Sequence, residues 1–165
     1  MIRDAEASDL PAILEITNHA ILNTTAIWTL TAATLSQRQA WFAERQAAGF
    51  PVLVADRDGA VAAYASFGAF RPHEGYLHTV EHSIYVAPQA QGGGIGRALL
   101  AALLSRGRAL GKHAMIGGIE AGNAPSLAMH ARAGFTETGR LPEVGRKFDR
   151  WLDLVFMQKL LGAAT

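Results

Sequence analysis

The chain has 165 residues, half of them hydrophobic, a formal net charge of +1 and no cysteine. This length suits one domain with a substantial core, and the near-neutral charge gives no basic surface of the kind that binds nucleic acid. The lack of cysteine excludes disulfides, thiolate metal sites and a cysteine nucleophile. The sequence shows no signal-peptide core and no apolar run of roughly 18 to 20 residues. We therefore expect a cytoplasmic protein with no membrane or nucleic-acid partner.

The first third of the chain is predicted to form a short strand and two helices. The strand covers residues 2–3, and apolar residues at helical spacing over residues 10–21 indicate the first helix, with Ser8 as its N-cap. The polar, β-branched residues 23–34 show no period and indicate a loop. Thr34 and Gln37 have the spacing of a capping box, which predicts a second helix.

The rest of the chain alternates strands and helices. The predicted elements are a hairpin around Asp58-Gly59, a strand at 80–86, a helix at 95–110, a strand at 113–120, a helix at 123–134 and strands at 135–141 and 151–158. This order indicates one α/β domain over residues 1–165, with a mixed sheet and helices on both faces rather than a doubly wound parallel sheet. The basic segment GRKFDRW is expected to form a solvated turn.

Four of the five residues from Gly92 to Gly96 are glycine, between a predicted strand and a predicted helix. The dinucleotide pattern G-x-G-x-x-G fails because its last position falls on Arg97 or Leu99, and no Gly-Lys-Ser/Thr exists for a Walker loop. What remains is an anion-binding loop (the anion cradle). In it, the N–H groups of the glycines and the N-terminus of the helix bind an anion such as a phosphate, and Arg97 adds positive charge. A plain tight turn is the alternative, but it would not need four glycines.

Two segments resemble the GNAT N-acetyltransferases. Gln91-x-x-Gly94-x-Gly96 is similar to their acetyl-coenzyme A (acetyl-CoA) signature, and GNAPSLAMHARAGF is similar to a later family element. The resemblance implies a mixed, mostly antiparallel sheet with a splayed central strand, and acetyl-CoA as co-substrate. It implies that the pyrophosphate is bound by Gly92, Gly93, Gly94, Ile95, Gly96 and Arg97, and that Ile84, Tyr85, Val86 and Asn123 bind the acetyl-pantetheine arm. An amide near Val86 would polarise the acetyl carbonyl.

Further segments resemble one branch of this family, the phosphinothricin and methionine sulfoximine acetyltransferases. These segments are NTTAIW, FRPHEGY, TVEHSIYV and VGRKFDRWLDLVFMQ, and His130 stands where many family members have a tyrosine. NTTAIW and the RP.EG pattern favour the methionine sulfoximine and methionine sulfone type. The resemblance implies a small amino-acid substrate and a homodimer with the active site near its two-fold interface.

An amino-acid acceptor needs a cation for its carboxylate and a base for its ammonium group. Arg71 suits the first because a guanidinium pairs bidentately with a carboxylate, and Glu81 suits the second, directly or through water. Strand alternation puts Glu81 and His82 on opposite faces. The alternatives are a solvated loop arginine and an edge-strand acid facing solvent. The predicted acceptor-binding residues are Arg71, Pro72, His73, Glu74, Glu81, His82 and Ser83.

His130 is predicted to be catalytic together with Glu81, as the acid that protonates the departing thiolate or as the alternative base. A helix histidine packed on the sheet is the other interpretation. The histidines lack metal-ligand spacing, so no metal is expected. Rival functions are acetyl transfer to a protein N-terminus, an antibiotic or a polyamine, and a non-catalytic CoA-binding regulator. Generic nucleotide binding is disfavoured by the failed fingerprints.

Overall fold

The computed structural model describes residues 1–162. The strands are β1 (Ile2–Asp4), β2 (Val52–Arg57), β3 (Ala60–Ala69), β4 (Thr79–Val86), β5 (Ala114–Glu120), β6 (Thr136–Lys147) and β7 (Arg150–Leu160). The helices are α1 (Leu10–Asn23), α2 (Leu35–Ala47), α3 (Ile95–Ala109) and α4 (Ala124–Arg132), with single 3-10 turns at Ala7–Asp9, Glu74–Tyr76 and Pro88–Ala90. One domain over residues 1–165 stays a prediction, because residues 163–165 lie outside the described residues.

The seven strands found within residues 1–162 form one sheet in the order β1-β2-β3-β4-β5-β7-β6. Every neighbouring pair is antiparallel except β4 and β5, which are parallel. The predicted mixed, mostly antiparallel sheet is therefore confirmed. Within residues 1–162, no helix has the length and hydropathy needed to cross a bilayer.

Helices cover both faces of the sheet, as predicted. Alternate residues of β2 enter different cores: Leu53 packs with α3, whereas Val54 packs with α1 and α2. This follows from the two-residue period of a strand, which sends successive side chains to opposite faces. We call these the α3 face and the α1 face. Apolar residues of α4 also pack on the α3 face.

Of the two predicted helix caps, the one at α2 is confirmed and the one at α1 is wrong. The capping box of α2 is confirmed, because Gln37 N donates to Thr34 Oγ1 at 3.2 Å and Thr34 N donates to Gln37 Oε1 at 2.9 Å. Ser8 as N-cap of α1 is wrong. It lies inside the 3-10 turn that precedes the helix, and the residue before α1 is Asp9, whose carboxylate accepts from Arg3 and from the Glu6 N–H.

The last two strands are longer than the sequence pattern indicates. The strand predicted at residues 135–141 ends just before Pro142 and Glu143. In the structure these residues form an irregularity in edge strand β6, where Glu143 has φ +50° and the register with β7 shifts between Leu141 and Gly145. Proline is tolerated at such positions because an edge strand need not donate there.

Strands β4 and β5 separate part of the way along. They pair only from Thr79 to His82, after which β4 remains paired with β3 and β5 with β7. Ala87 N donates to Ala62 O at 2.9 Å, which shows which alternate residues of β4 form backbone hydrogen bonds with β3. Because backbone groups alternate in direction along a strand, those of Ile84 and Val86 point away from β3 into the gap. The predicted splayed central strand is confirmed.

Candidate active site

The glycine loop leaves a row of backbone donors at the start of α3. Gly92 and Gly94 both have φ +79°, a left-handed conformation that costs other residues about 1–2 kcal/mol. Among residues 1–162, the N–H groups from Gly92 to Arg97 donate to no protein acceptor. They lie at the positive end of the helix macrodipole, so the loop can bind an anion such as a diphosphate.

Gln91 ties this loop to the splayed strand. Its Nε2 donates to Val86 O at 3.4 Å, across the end of β4. Arg97 lies exposed in the first turn of α3. The structure thus places the anion cradle directly beside the free amide of Val86, at the mouth of the gap between β4 and β5.

We expect Gly94→Ala to weaken CoA binding more than Gly93→Ala. Neither new Cβ meets protein atoms closer than 3.7 Å, but only Gly94 has a positive φ. The strain of about 1–2 kcal/mol corresponds to a rise in Kd of about fivefold to thirtyfold for Gly94→Ala. Isothermal titration calorimetry with CoA measures both variants. Equal affinities in the two variants would contradict a role for the left-handed backbone.

Two adjacent glycines in β5 leave space for side chains of predicted site residues on both faces of the sheet. A Cβ at Gly117 would lie 3.0 Å from His82 Nε2 and 3.3 Å from His130 Nε2, whereas one at Gly118 would lie 3.0 Å from Glu81 Oε1. Glycine inside a strand commonly marks such a close approach. The Gly-Gly pair of HAMIGGIE was therefore an available signal, which the sequence analysis missed.

His82 and His130 stack as a buried pair on the α3 face, with Nε2 atoms 3.1 Å apart. His130 Nδ1 lies 2.7 Å from Ser126 O, which can only accept, so Nδ1 carries the proton. His130 Nε2 then accepts from His82 Nε2–H. His82 Nδ1 is left buried without a partner among the described residues. Burial and the neighbouring His130 lower the pKa of His82 to about 3, and burial lowers the pKa of His130.

This pair bears on two predicted roles. His130 is only 3 % exposed and both of its ring nitrogens are engaged. Its assignment as thiolate acid stays a prediction, and that role requires a proton on Nε2, the atom that accepts from His82 in this arrangement. His82 faces away from Glu81, as alternation indicates, so any contact with the acceptor has to occur through the gap. Its acceptor-binding role also stays a prediction.

Glu81 lies half-buried on the α1 face, above Gly118. Its carboxylate forms no hydrogen bond with residues 1–162. Burial raises the pKa of Glu81, and the positive charge of Arg71 partly opposes that rise. A carboxylate held free, partly dehydrated and near a cation is suited to accept a proton from an ammonium group.

Arg71 is held beside Glu81 by an aromatic cluster. Its guanidinium lies 4.2 Å over the Phe70 ring, and Nη1 donates to Phe70 O at 2.8 Å. Phe70 in turn packs edge-on against Tyr76 and Phe156. In the described chain no carboxylate lies within ion-pair distance of Arg71, so its remaining donors are available for a carboxylate.

The other predicted acceptor residues are more dispersed. Pro72, His73 and Glu74 are exposed in the loop before β4, and Ser83 is exposed on the same face as Glu81. The structure therefore brings together Arg71, Glu81 and Ser83 on the α1 face, and leaves the contribution of the Pro72–Glu74 segment a prediction.

A cavity of about 550 Å³ adjoins these residues on the α1 face, which sequence reasoning missed. Its walls come from α1, α2, the loop after α1, β3 and β4. They are Thr17, Ile21, Ile27, Thr29, Thr31, Ala32, Ala33, Gln37, Arg38, Trp41, Arg45, Tyr64, Ser83 and Tyr85. Arg38, Trp41 and Arg45 share one helix face by their spacing, a signal that was present in the sequence.

Lys147 fixes the loop that covers this cavity, so the prediction of a solvated basic turn is wrong for it. The side chain is buried, at 3 % exposure, because β6 carries it beneath the end of α1. Its Nζ donates to the carbonyls of Ile21, Thr24 and Ile27 at 2.5, 2.6 and 2.6 Å. The carbonyls of Ile21 and Thr24 lie at the C-terminus of α1 and lack helix partners, and the carbonyl of Ile27 lies in the loop that follows, so the three bonds join this loop to the helix end.

We expect Lys147→Met to raise KM for the acceptor while leaving CoA affinity nearly unchanged. The loss of three bonds from a charged donor frees the loop, and unpaired carbonyls cost about 1–3 kcal/mol of stability. Steady-state kinetics and thermal unfolding measure the two effects, with exposed Arg146→Met as the matched control. An unchanged KM in Lys147→Met would show that the loop does not shape the site.

Comparisons with known proteins agree with this geometry. The sequence profile described as "Acetyltransferase (GNAT) family" matches residues 13–135. A methionine sulfoximine/methionine sulfone acetyltransferase from Pseudomonas aeruginosa is 54% identical over 158 residues, covering 95% of this chain and 92% of that protein.

Two solved structures are also similar. A ribosomal-protein-alanine N-acetyltransferase from Brucella melitensis has 55% identity and a TM-score of 0.96, covering 97% of this chain and 99% of that one. A phosphinothricin acetyltransferase from Sinorhizobium meliloti, in complex with AcCoA, has 41% identity and a TM-score of 0.96, covering 98% and 88%. The profile match and these identities, together with the splayed sheet and the glycine loop, show that the chain belongs to the GNAT acetyltransferase family.

Proposed function

We propose that this chain transfers the acetyl group of acetyl-CoA to the α-amino group of a small amino acid or analogue of the methionine sulfone, methionine sulfoximine and phosphinothricin class. The observation that carries the proposal is the presence of Glu81 and Arg71 on one face of the splayed strands, close enough for the Arg71 charge to affect the pKa of Glu81 but not joined in an ion pair within residues 1–162. A base and a carboxylate clamp side by side match the two ends of an α-amino acid. The names of the similar enzymes support this substrate class.

The donor site is proposed on the α3 side of the gap. The unpaired amides from Gly92 to Arg97 hold the pyrophosphate, and β4 from Ile84 to Val86 lies along the pantetheine arm. Asn123 uses its Oδ1 to cap α4 by accepting from Ser126 N at 3.2 Å. Its Nδ2 donors stay available to the same arm.

The residues act as follows in the proposed reaction. When bound, acetyl-CoA supplies the acetyl thioester. Arg71 orients the acceptor through its carboxylate, and Glu81 takes the proton from the ammonium group so that the amine can attack. The Val86 N–H stabilises negative charge on the carbonyl oxygen. The C–S bond breaks as the amide forms, and the nitrogen gives up its second proton, which passes through water to the departing thiolate. His130 can serve as the acid instead only when its Nε2 carries a proton.

A thiol-release assay tests the proposed function. Methionine sulfone, methionine sulfoximine and phosphinothricin are offered beside an alanine-starting peptide and spermidine, with acetyl-CoA as donor. We expect the amino acids to release thiol fastest. A faster reaction with the peptide would assign the chain to protein N-termini, as for the relative from Brucella melitensis. No thiol from any amine would favour the non-catalytic regulator.

We also propose a homodimer, because the β6–β7 hairpin presents apolar side chains at an open sheet edge. Val144, Phe148 and Trp151 are 50%, 55% and 57% exposed, and β6 is the terminal strand of the sheet. Contiguous exposed apolar side chains commonly mark an interface. Light scattering at a defined concentration measures the mass, and a monomer would contradict the proposal. The cytoplasmic location stays a prediction.

A further inference from the structure

The cavity on the α1 face is lined by two arginines that form no ion pair with residues 1–162. Arg38 and Arg45 line it, and no aspartate or glutamate is among its lining residues. Within the described chain neither arginine forms an ion pair, and the Nε atoms of both are buried without a hydrogen-bond partner. The Nε atoms are covered by protein, so a ligand in the cavity would be bound by the terminal Nη groups of the two guanidinium groups. Two cavity-lining guanidinium groups that form no ion pair with residues 1–162 favour a ligand with strongly polarised or charged oxygens.

Both guanidinium groups are held in place by Trp41, which lies between them along α2. The Cζ atoms of Arg38 and Arg45 lie 4.7 and 5.8 Å from its ring centroid. Stacking on an aromatic face orients a guanidinium and leaves its in-plane donors free. Burial also lowers the pKa of Arg45. The arrangement is therefore a preset pair of donors rather than two mobile surface side chains.

The pair adjoins the proposed reaction site. Gly68 is the direct partner of Glu81 across the β3–β4 ladder, and a Cβ on Gly68 would lie 2.5 Å from Arg45 Nη1. The guanidinium of Arg45 thus rests on the backbone beside Glu81. Ser83, a cavity-lining residue, follows Glu81 on the same face at about 7 Å along the strand. That distance suits the short side chain of an amino acid whose amine lies at Glu81.

We propose that Arg38 and Arg45 determine acceptor specificity by donating hydrogen bonds to oxygens on a sulfur or phosphorus atom in the acceptor side chain. The proposal rests on the proposed function, because Glu81 and Arg71 must hold the α-amino and α-carboxylate groups. Sulfone oxygens are strongly polarised and phosphinate oxygens share a formal negative charge, so both accept hydrogen bonds from planar guanidinium groups. The methylene groups of the acceptor contact Trp41 and Tyr85. Methionine has no oxygen on its sulfur and therefore accepts no hydrogen bond from the two arginines.

The test compares methionine sulfone with methionine, which differ only in the sulfur oxygens. Calorimetry in the presence of CoA measures both dissociation constants without turnover, for the parent and for Arg38→Met, Arg45→Met and the exposed control Arg57→Met. We expect Arg38→Met and Arg45→Met each to raise the Kd for methionine sulfone by about tenfold to a hundredfold. The Kd for methionine in these variants, and both Kd values in Arg57→Met, should stay nearly unchanged.

Gly68→Ala provides a second variant that keeps both charges. Its Cβ displaces the end of the Arg45 side chain, which can move, so the fold is retained while methionine sulfone binding weakens. Unfolding temperatures at or above that of the parent are expected for Arg45→Met, because a partly buried cation that forms no ion pair within residues 1–162 is removed.

Three results would overturn the inference. These are unchanged methionine sulfone binding in both arginine variants, an equal loss for methionine, and no methionine sulfone binding to the parent. The proposed function fails differently, by an absence of thiol release with every amine in the panel. If the parent acetylates amino acids but does not favour methionine sulfone over methionine, the proposed function holds and the proposed arginine subsite is wrong.

Discussion

Glu81→Gln is expected to lower kcat by about a hundredfold to ten-thousandfold, which is the usual contribution of a positioned general base. Glutamine keeps the shape and the contact above Gly118 but cannot accept the proton. CoA affinity should be nearly unchanged, because the donor cradle begins at Gly92, on another segment. Stopped-flow thiol detection and CoA calorimetry measure both quantities, and exposed Glu15→Gln is the matched control.

The pH dependence gives a second readout of the same residue. Glu81 acts as a base only when deprotonated, so kcat/KM rises with pH through its pKa. Burial raises that pKa, which puts the acidic limb above the ordinary range of glutamate. Arg71→Gln removes the opposing positive charge and should move the limb to higher pH. Two results would assign the base to another group. One is an acidic limb of kcat/KM that stays at the same pH in Arg71→Gln, and the other is a limb that is still present in Glu81→Gln.

The fold is expected to lose stability in mild acid because of the His82–His130 pair. The pKa of His82 falls from the ordinary 6.5 in the unfolded chain to about 3 in the fold, so the unfolded state binds the proton first. Stability from this group is complete above about pH 6.5 and decreases as the pH falls towards 3. At about 1.4 kcal/mol per pH unit, His82 alone accounts for a loss of about 2 kcal/mol by pH 5.

Denaturant unfolding at several pH values tests this expectation. His82→Met removes the titrating group, so its free energy of unfolding should fall less steeply between pH 7 and pH 5 than that of the parent. Exposed His113→Gln is the control and should keep the parental slope. If the parent and His82→Met had the same slope, the acid sensitivity would originate outside the pair.

Features set by short-range pattern could be predicted from the sequence. The glycine cradle is one, because the residues from Gly92 to Arg97 carry their conformational signal within a few positions. The separation of Glu81 from His82 is another, since strand alternation alone determines it. The structure places these side chains over Gly118 and Gly117, on opposite faces of β5.

Features set by long-range packing could not be predicted. The His82–His130 contact joins residues 48 positions apart and depends on how α4 packs against β4. Arg38 and Arg45 line a cavity only because residues 24–34 fold back over the sheet, and that loop has no hydrophobic period. The burial of Lys147 likewise depends on where the irregular edge strand β6 meets the end of α1.

The most direct measurement follows the backbone amide resonances by NMR while acetyl-CoA is added. The central claim is that free N–H groups at the start of α3 and on the splayed strand hold the donor. We expect the resonances from Gly92 to Arg97, and those of Ile84 and Val86, to shift and saturate together, while the Asp58-Gly59 turn stays unchanged. Saturable acetyl-CoA binding that leaves the residues from Gly92 to Arg97 unperturbed would contradict the claim.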